Sequence, residues 1–107
     1  MLFHKHTLIG TVVALAALSL PFGAHAAPPA GQLLASQCAQ CHGTNGNGPG
    51  FDELAGKPTN ELYNELREMK YSQQIEGIMD RQARGYTDTQ LRLIADYLAA
   101  QPGAGDD

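Results

Sequence analysis

Tryptophan is absent from this 107-residue chain, and cysteine occurs only twice. Aromatic residues make up 7% of it, so few large side chains are available to fill a core. Basic residues are also scarce: seven Lys+Arg face eleven Asp+Glu, a net charge of −4. That balance argues against nucleic acid, which demands a basic face, and against docking on an anionic bilayer. An acidic chain more naturally meets a partner with a basic patch, although net charge is a weak guide to any one face. No segment alternates convincingly as a strand. No internal repeat and no second domain stands out. The glycine-rich stretch Gly43–Gly50 is not followed by Gly-Lys-Ser/Thr, which excludes a phosphate loop.

No apolar run is long enough to span a bilayer either. Leu8 to Leu20 is apolar apart from Gly10, Thr11 and Ser19, and its length of about 13 residues falls short of the roughly 20 required. Lys5 gives it a weakly basic start, Pro21 and Gly23 break it, and Ala24-His25-Ala26 reads as a small-x-small cleavage site. This is the plan of a secretory signal peptide. The expectation is a leader over 1–26, removed on export to the periplasm, and one mature domain over 27–107 with no membrane span.

Cleavage would strip the domain of most of its histidine. His4, His6 and His25 leave, and His42 is the only one kept. Lys5 leaves as well, taking the net charge to about −5. A domain near 80 residues has a small core and often needs a disulfide, metal or cofactor to stabilise it.

The two cysteines indicate which. The segment reads Cys38-Ala39-Gln40-Cys41-His42, two cysteines three apart with histidine directly after the second. That is the attachment signature for haem c. On a helical turn, residues i and i+3 share a face. Two thiols placed so can add to the two vinyl groups of one haem, and the adjacent His42 is then held against the iron as the proximal ligand. A cysteine pair of this spacing has three other readings. A plain disulfide suits an oxidising compartment. A thioredoxin-type dithiol expects a βαβ setting that this chain lacks. A zinc site needs more Cys or His ligands than the mature domain has.

The remainder reads as helix and loop. A helix-compatible stretch runs from about Gly31 to Cys41, weighted by Leu33 and Leu34. The glycine-dense loop after it is either a flexible connector or a tight wrap in which glycine lets the backbone come close. A second helix is predicted over 60–71, with Leu62, Leu66 and Met69 at helical spacing and Thr59 as its N-cap. A third is predicted from Asp88 to about Ala100. Thr87 and Gln90 form a capping box at its start, Leu91, Ile94, Ala95 and Leu98 form its stripe, and Asp88 with Arg92 is an i, i+4 pair. Pro102 and Gly103 end it, and the tail Ala104 to Asp107 is expected to be loose. The fold class is therefore all-α: helices near both ends packed across each other, a third beside them, and haem in the cleft between. Gly31 and Tyr97 are one candidate crossing point, where a missing side chain lets an aromatic approach; the plainer alternative is that Gly31 simply precedes the helix.

The iron requires a sixth ligand or an open site. With no second histidine, methionine remains, and a thioether opposite histidine raises the potential of an electron carrier. Met69 lies on an apolar stripe, where core packing is the plain reading. Met79 lies between the second and third helices, where a loop can fold over the haem, and position favours it.

Cys38 to His42, the Asn45-Gly46-Asn47 segment and Leu54-Ala55-Gly56 resemble class I cytochromes c. Ile78-Met79-Asp80-Arg81, Gly85-Tyr86-Thr87-Asp88 and Ile94-Ala95-Asp96-Tyr97 are more specific. They are similar to the cytochrome subunit of flavocytochrome c sulfide dehydrogenase and to tandem dihaem cytochromes of the periplasm. The resemblance covers nearly the whole mature chain. It implies the class I cytochrome c fold, three or more helices around one covalently attached haem. It implies Met79 as the axial ligand, since the family's methionine lies eight residues before the Ser/Thr-Asp that opens the last helix. It also implies a proline carbonyl holding the proximal histidine, for which Pro49 is the match. One attachment motif implies one haem. No flavin fingerprint is present, so any sulfide oxidation would belong to another, FAD-containing subunit. The leading functional reading is an electron carrier, not an enzyme by itself, that accepts electrons from such a subunit. The others are a free periplasmic shuttle for another oxidoreductase and an open-site, gas-binding or peroxidatic haem.

Overall fold

The structure is a computed structural model and describes residues 23 and 25–103. Most of the expected leader over 1–26, and the whole tail Ala104–Asp107, lie outside those residues. Among the described residues, five α-helical segments occur in order: α1 (Gln32–Ala35), α2 (Ala39–His42), α3 (Thr59–Tyr71), α4 (Ile78–Arg84) and α5 (Asp88–Ala99). A 3₁₀ turn (Ser36–Cys38) joins α1 to α2, and another (Thr44–Gly46) follows α2. Among the described residues there is no strand, and no helix is long and apolar enough to cross a membrane.

α5 is the element around which the rest packs. Its stripe is fully buried, with Leu91 0%, Ile94 1%, Ala95 0% and Leu98 2% exposed. Each of the three large side chains contributes about 1.5–3 kcal/mol by burial. The capping box forms as expected: Thr87 Oγ1 accepts from the Gln90 amide at 3.1 Å, and Gln90 Oε1 accepts from the Thr87 amide at 2.9 Å. α1 and α3 both pack on α5, and α4 packs on α3. Leu62 carries the α3 side of the core at 2% exposure.

The crossing of α1 and α5 falls at Gly31 and Tyr97, as expected. A Cβ at Gly31 would lie 2.7 Å from Tyr97 Cβ and would overlap the Leu93 carbonyl. Only glycine permits this approach.

Several local expectations are corrected. Thr59 is the first residue of α3 rather than its cap. Pro58 holds the cap position, and its carbonyl accepts from the Leu62 amide at 3.1 Å. Asp88 does not pair with Arg92. It turns to α3, where Lys70 Nζ lies 2.9 Å and Arg67 Nε 3.4 Å from its oxygens and the Tyr71 hydroxyl donates at 2.8 Å. Arg92 pairs instead with Asp96 and donates to Asn60 Oδ1. The segment holding Met79 is not a loop but the helix α4. It opens where Asp80 Oδ2 accepts from the Glu76 and Gly77 amides at 2.8 and 3.1 Å. Only Ala83 of α4 is buried, so no apolar stripe marks it in the sequence.

Candidate functional site: a cleft lined by Cys38, Cys41, His42 and Met79

α2 is short, and its end is tied down by the glycine-rich loop. The last carbonyls of any helix lack intrahelical partners. Here the Phe51 amide donates to Cys41 O at 3.0 Å, and the Gly48 amide donates to His42 O at 2.7 Å. The return is tight enough that Gly43 adopts φ +80, and a Cβ there would collide with Gly48. Further along, the Leu54 amide donates to Gly46 O at 2.8 Å. The Tyr97 hydroxyl donates to Asn45 Oδ1 at 2.7 Å and fastens the loop to α5. Of the two expectations for this loop, the wrap describes it better than the flexible connector.

This path delivers a backbone carbonyl to His42. Its Nδ1 lies 2.6 Å from Asp52 O. A carbonyl only accepts, so Nδ1 donates, and in the neutral ring Nε2 is left with a free lone pair. A bond of this kind from the far ring nitrogen orients a metal-binding imidazole and raises its basicity. The residue supplying it is Asp52, which corrects the assignment of Pro49. Pro49 is exposed at the turn of the loop, while Asp52 lies on the segment returning past His42. The Phe51 ring flanks the same histidine, with 6.3 Å between centroids.

Cys38, Cys41, His42 and Met79 all line one cavity of about 260 Å³. Neither thiol is in a disulfide. Burial raises the Cys38 thiol above its ordinary pKa, outweighing a backbone hydrogen bond that lowers it. Burial also raises that of Tyr86, another lining residue, with the charge on Cys38 adding to the effect. Met69 is elsewhere. It borders a smaller cavity of about 50 Å³ behind Cys38, with Leu62, Leu66, Ile94 and Leu98.

A family model for cytochrome c matches residues 29–101. The chain belongs to the cytochrome c family. It is a class I c-type cytochrome, an electron carrier with the all-α fold that the sequence leads one to expect. It is similar to two curated relatives. It is 35% identical over 68 residues to the cytochrome subunit of sulfide dehydrogenase from Chlorobaculum tepidum, covering 63% of this chain and 62% of that one. It is also 35% identical over 91 residues to cytochrome c4 of Pseudomonas aeruginosa, covering 81% of this chain and 45% of that one. The matches thus span less than two thirds of either relative's length.

Membership implies covalently attached haem c, and the cleft of this cytochrome fits the group. It offers two thiols one helical turn apart, a histidine oriented through Nδ1, and a thioether on a separate helix. Its rim carries apolar side chains in contact with water, Phe51 at 69% and Ile78 at 62% exposure. Exposed large apolar groups around a concave site mark a surface that a ligand covers. Phe51 and Asp52 went unnoticed in the sequence. Phe51 could have been found as the lone aromatic in a glycine-rich loop. Asp52 acts through its backbone, which residue identity does not mark.

Proposed function

We propose that residues 1–26 direct export to the periplasm and are removed, and that the mature domain carries a single haem c. In this reading Cys38 and Cys41 would hold the group through thioether bonds, each thiol's S–H adding across one vinyl double bond with no oxidation. His42 would bind the iron through Nε2, held by its bond to Asp52, and Met79 would bind it through its thioether sulfur. When bound, the group supplies a one-electron iron couple. The chain's own residues shield it from water and keep both ligands in place, so little rearrangement accompanies electron transfer.

The observation that carries this reading is the convergence of Cys38, Cys41, His42 and Met79 on one cavity, from which Met69 is absent. Intact-mass measurement of the exported protein tests it. The expected mass is residues 27–107 plus one haem. A mass without haem, or a disulfide-linked pair of cysteines, contradicts it.

The proposed electron donor is a flavoprotein subunit of a sulfide dehydrogenase. Support comes from the relative whose own name places it in such an enzyme. Co-purification from the native source should yield a complex containing flavin. A monomer that exchanges electrons with several oxidoreductases favours the free shuttle.

A further inference from the structure

We propose that the side chain of Asp52 holds the reduction potential of this cytochrome down, separately from the part its carbonyl plays. The inference rests on the reading of the cleft as a haem site. The carbonyl bond to His42 places Asp52 beside the proximal ring, and Asp52 itself lines the cavity. Among the described residues, every other acidic or basic side chain lies outside that lining, apart from His42: the rest are Cys, Gln, Tyr and apolar residues. Among the described residues, the ion pairs join Asp88 to Arg67 and Lys70, and Asp96 to Arg92. None of these five residues pairs with Asp52. An aspartate carboxylate is negatively charged at neutral pH, so Asp52 is the one acidic residue that the described lining of the cleft carries, and none of those ion pairs offsets it.

The sign of its effect follows from Coulomb's law. Oxidised iron carries one more positive charge than reduced iron, so a nearby anion stabilises the oxidised form more. Asp52 is exposed, and salt therefore screens its field. The carbonyl pushes the same way by raising the basicity of the ring, but any residue at this position with the same backbone path supplies that. The charge is particular to aspartate or glutamate.

Midpoint potentials of the haem-loaded protein at low and high ionic strength test the proposal. The variants are Asp52→Asn and Asp52→Ser, both of which keep the carbonyl and remove the charge. Glu61→Gln, on the exposed face of α3 and away from the cavity, removes an equal charge at a distance. The midpoint is expected to move upward in both Asp52 variants, by more at low than at high ionic strength, with the axial-ligand spectrum unchanged. Glu61→Gln should move it less at both. A shift in the Asp52 variants that is absent, downward or no larger than that of Glu61→Gln overturns the proposal. Wild-type protein without covalent haem would instead overturn the reading of the cleft itself, so the two failures are distinguishable.

Discussion

Gly31 and Tyr97 meet where α1 crosses α5, with no space between them for a methyl group. One side of the gap is backbone, the Leu93 carbonyl, which cannot swing aside as a side chain can. Gly31→Ala should therefore destabilise the fold by about 1–3 kcal/mol, the usual cost of overpacking. For a domain of this size that lowers Tm on the order of 10 °C. Thermal unfolding followed by circular dichroism measures it, and an unchanged Tm would show that the helices can separate freely.

The start of α5 offers a milder test. Thr87→Ala removes the oxygen that accepts from the Gln90 amide. The expected loss is ~1 kcal/mol. Gln90→Ala removes the reciprocal bond, and because the two share one turn their effects should not add. Denaturant titration of the two single variants and the double variant measures the coupling.

Acid should loosen the contact between α3 and α5. The Lys70 hydrogen bond, then that of Tyr71, lowers the Asp88 carboxyl below its ordinary value of 3.8. The unfolded chain then takes up this proton before the folded one does. The stabilisation is complete above the unfolded value and is lost as pH falls through the lower folded value. Lys70 is raised above 10.5 by the same partner, so its share is lost only as pH rises through that higher value. Stability compared between pH 6 and pH 3 should fall less in Asp88→Asn than in wild type. An equal fall in both would mean that other carboxyls dominate.

Loss of the haem should cost most of the structure. The buried core is small, seven clustered residues of which Ala35 and Ala95 are alanine, and the cleft exposes Phe51 and Ile78. A Cys38→Ser, Cys41→Ser variant, freed of haem, is expected to lose most of its far-ultraviolet helix signal. A cooperative thermal transition near that of the holoprotein would contradict this.

Much of this fold was legible in the sequence because its longer helices bury regular stripes. Leu91, Ile94, Ala95 and Leu98 repeat at helical spacing behind a capping box, and Leu62 and Leu66 do so on α3. The Gly31–Tyr97 crossing could be anticipated because a glycine at the start of the first helix opposite an aromatic on the last suits a close approach of two helices. α4 was hidden because it buries only Ala83 and takes its start from Asp80 rather than from an apolar pattern. The Asp88 pairing was misread because spacing within one helix says nothing about cations on its neighbour. At the site, thiols and histidine announce themselves by side-chain chemistry. The Asp52 carbonyl does not, since every residue has one and only the path of the loop decides which reaches His42.

The central claim is that His42 and Met79 hold the iron between them. The most direct measurement is the visible spectrum of the oxidised protein, wild type against Met79→Ala and Met69→Ala. The wild type should show the weak long-wavelength band of a ferric iron bound to a thioether. That band should vanish in Met79→Ala and survive in Met69→Ala. A wild-type spectrum without the band, together with rapid carbon monoxide binding by the reduced form, would contradict the account and identify an open, reactive haem.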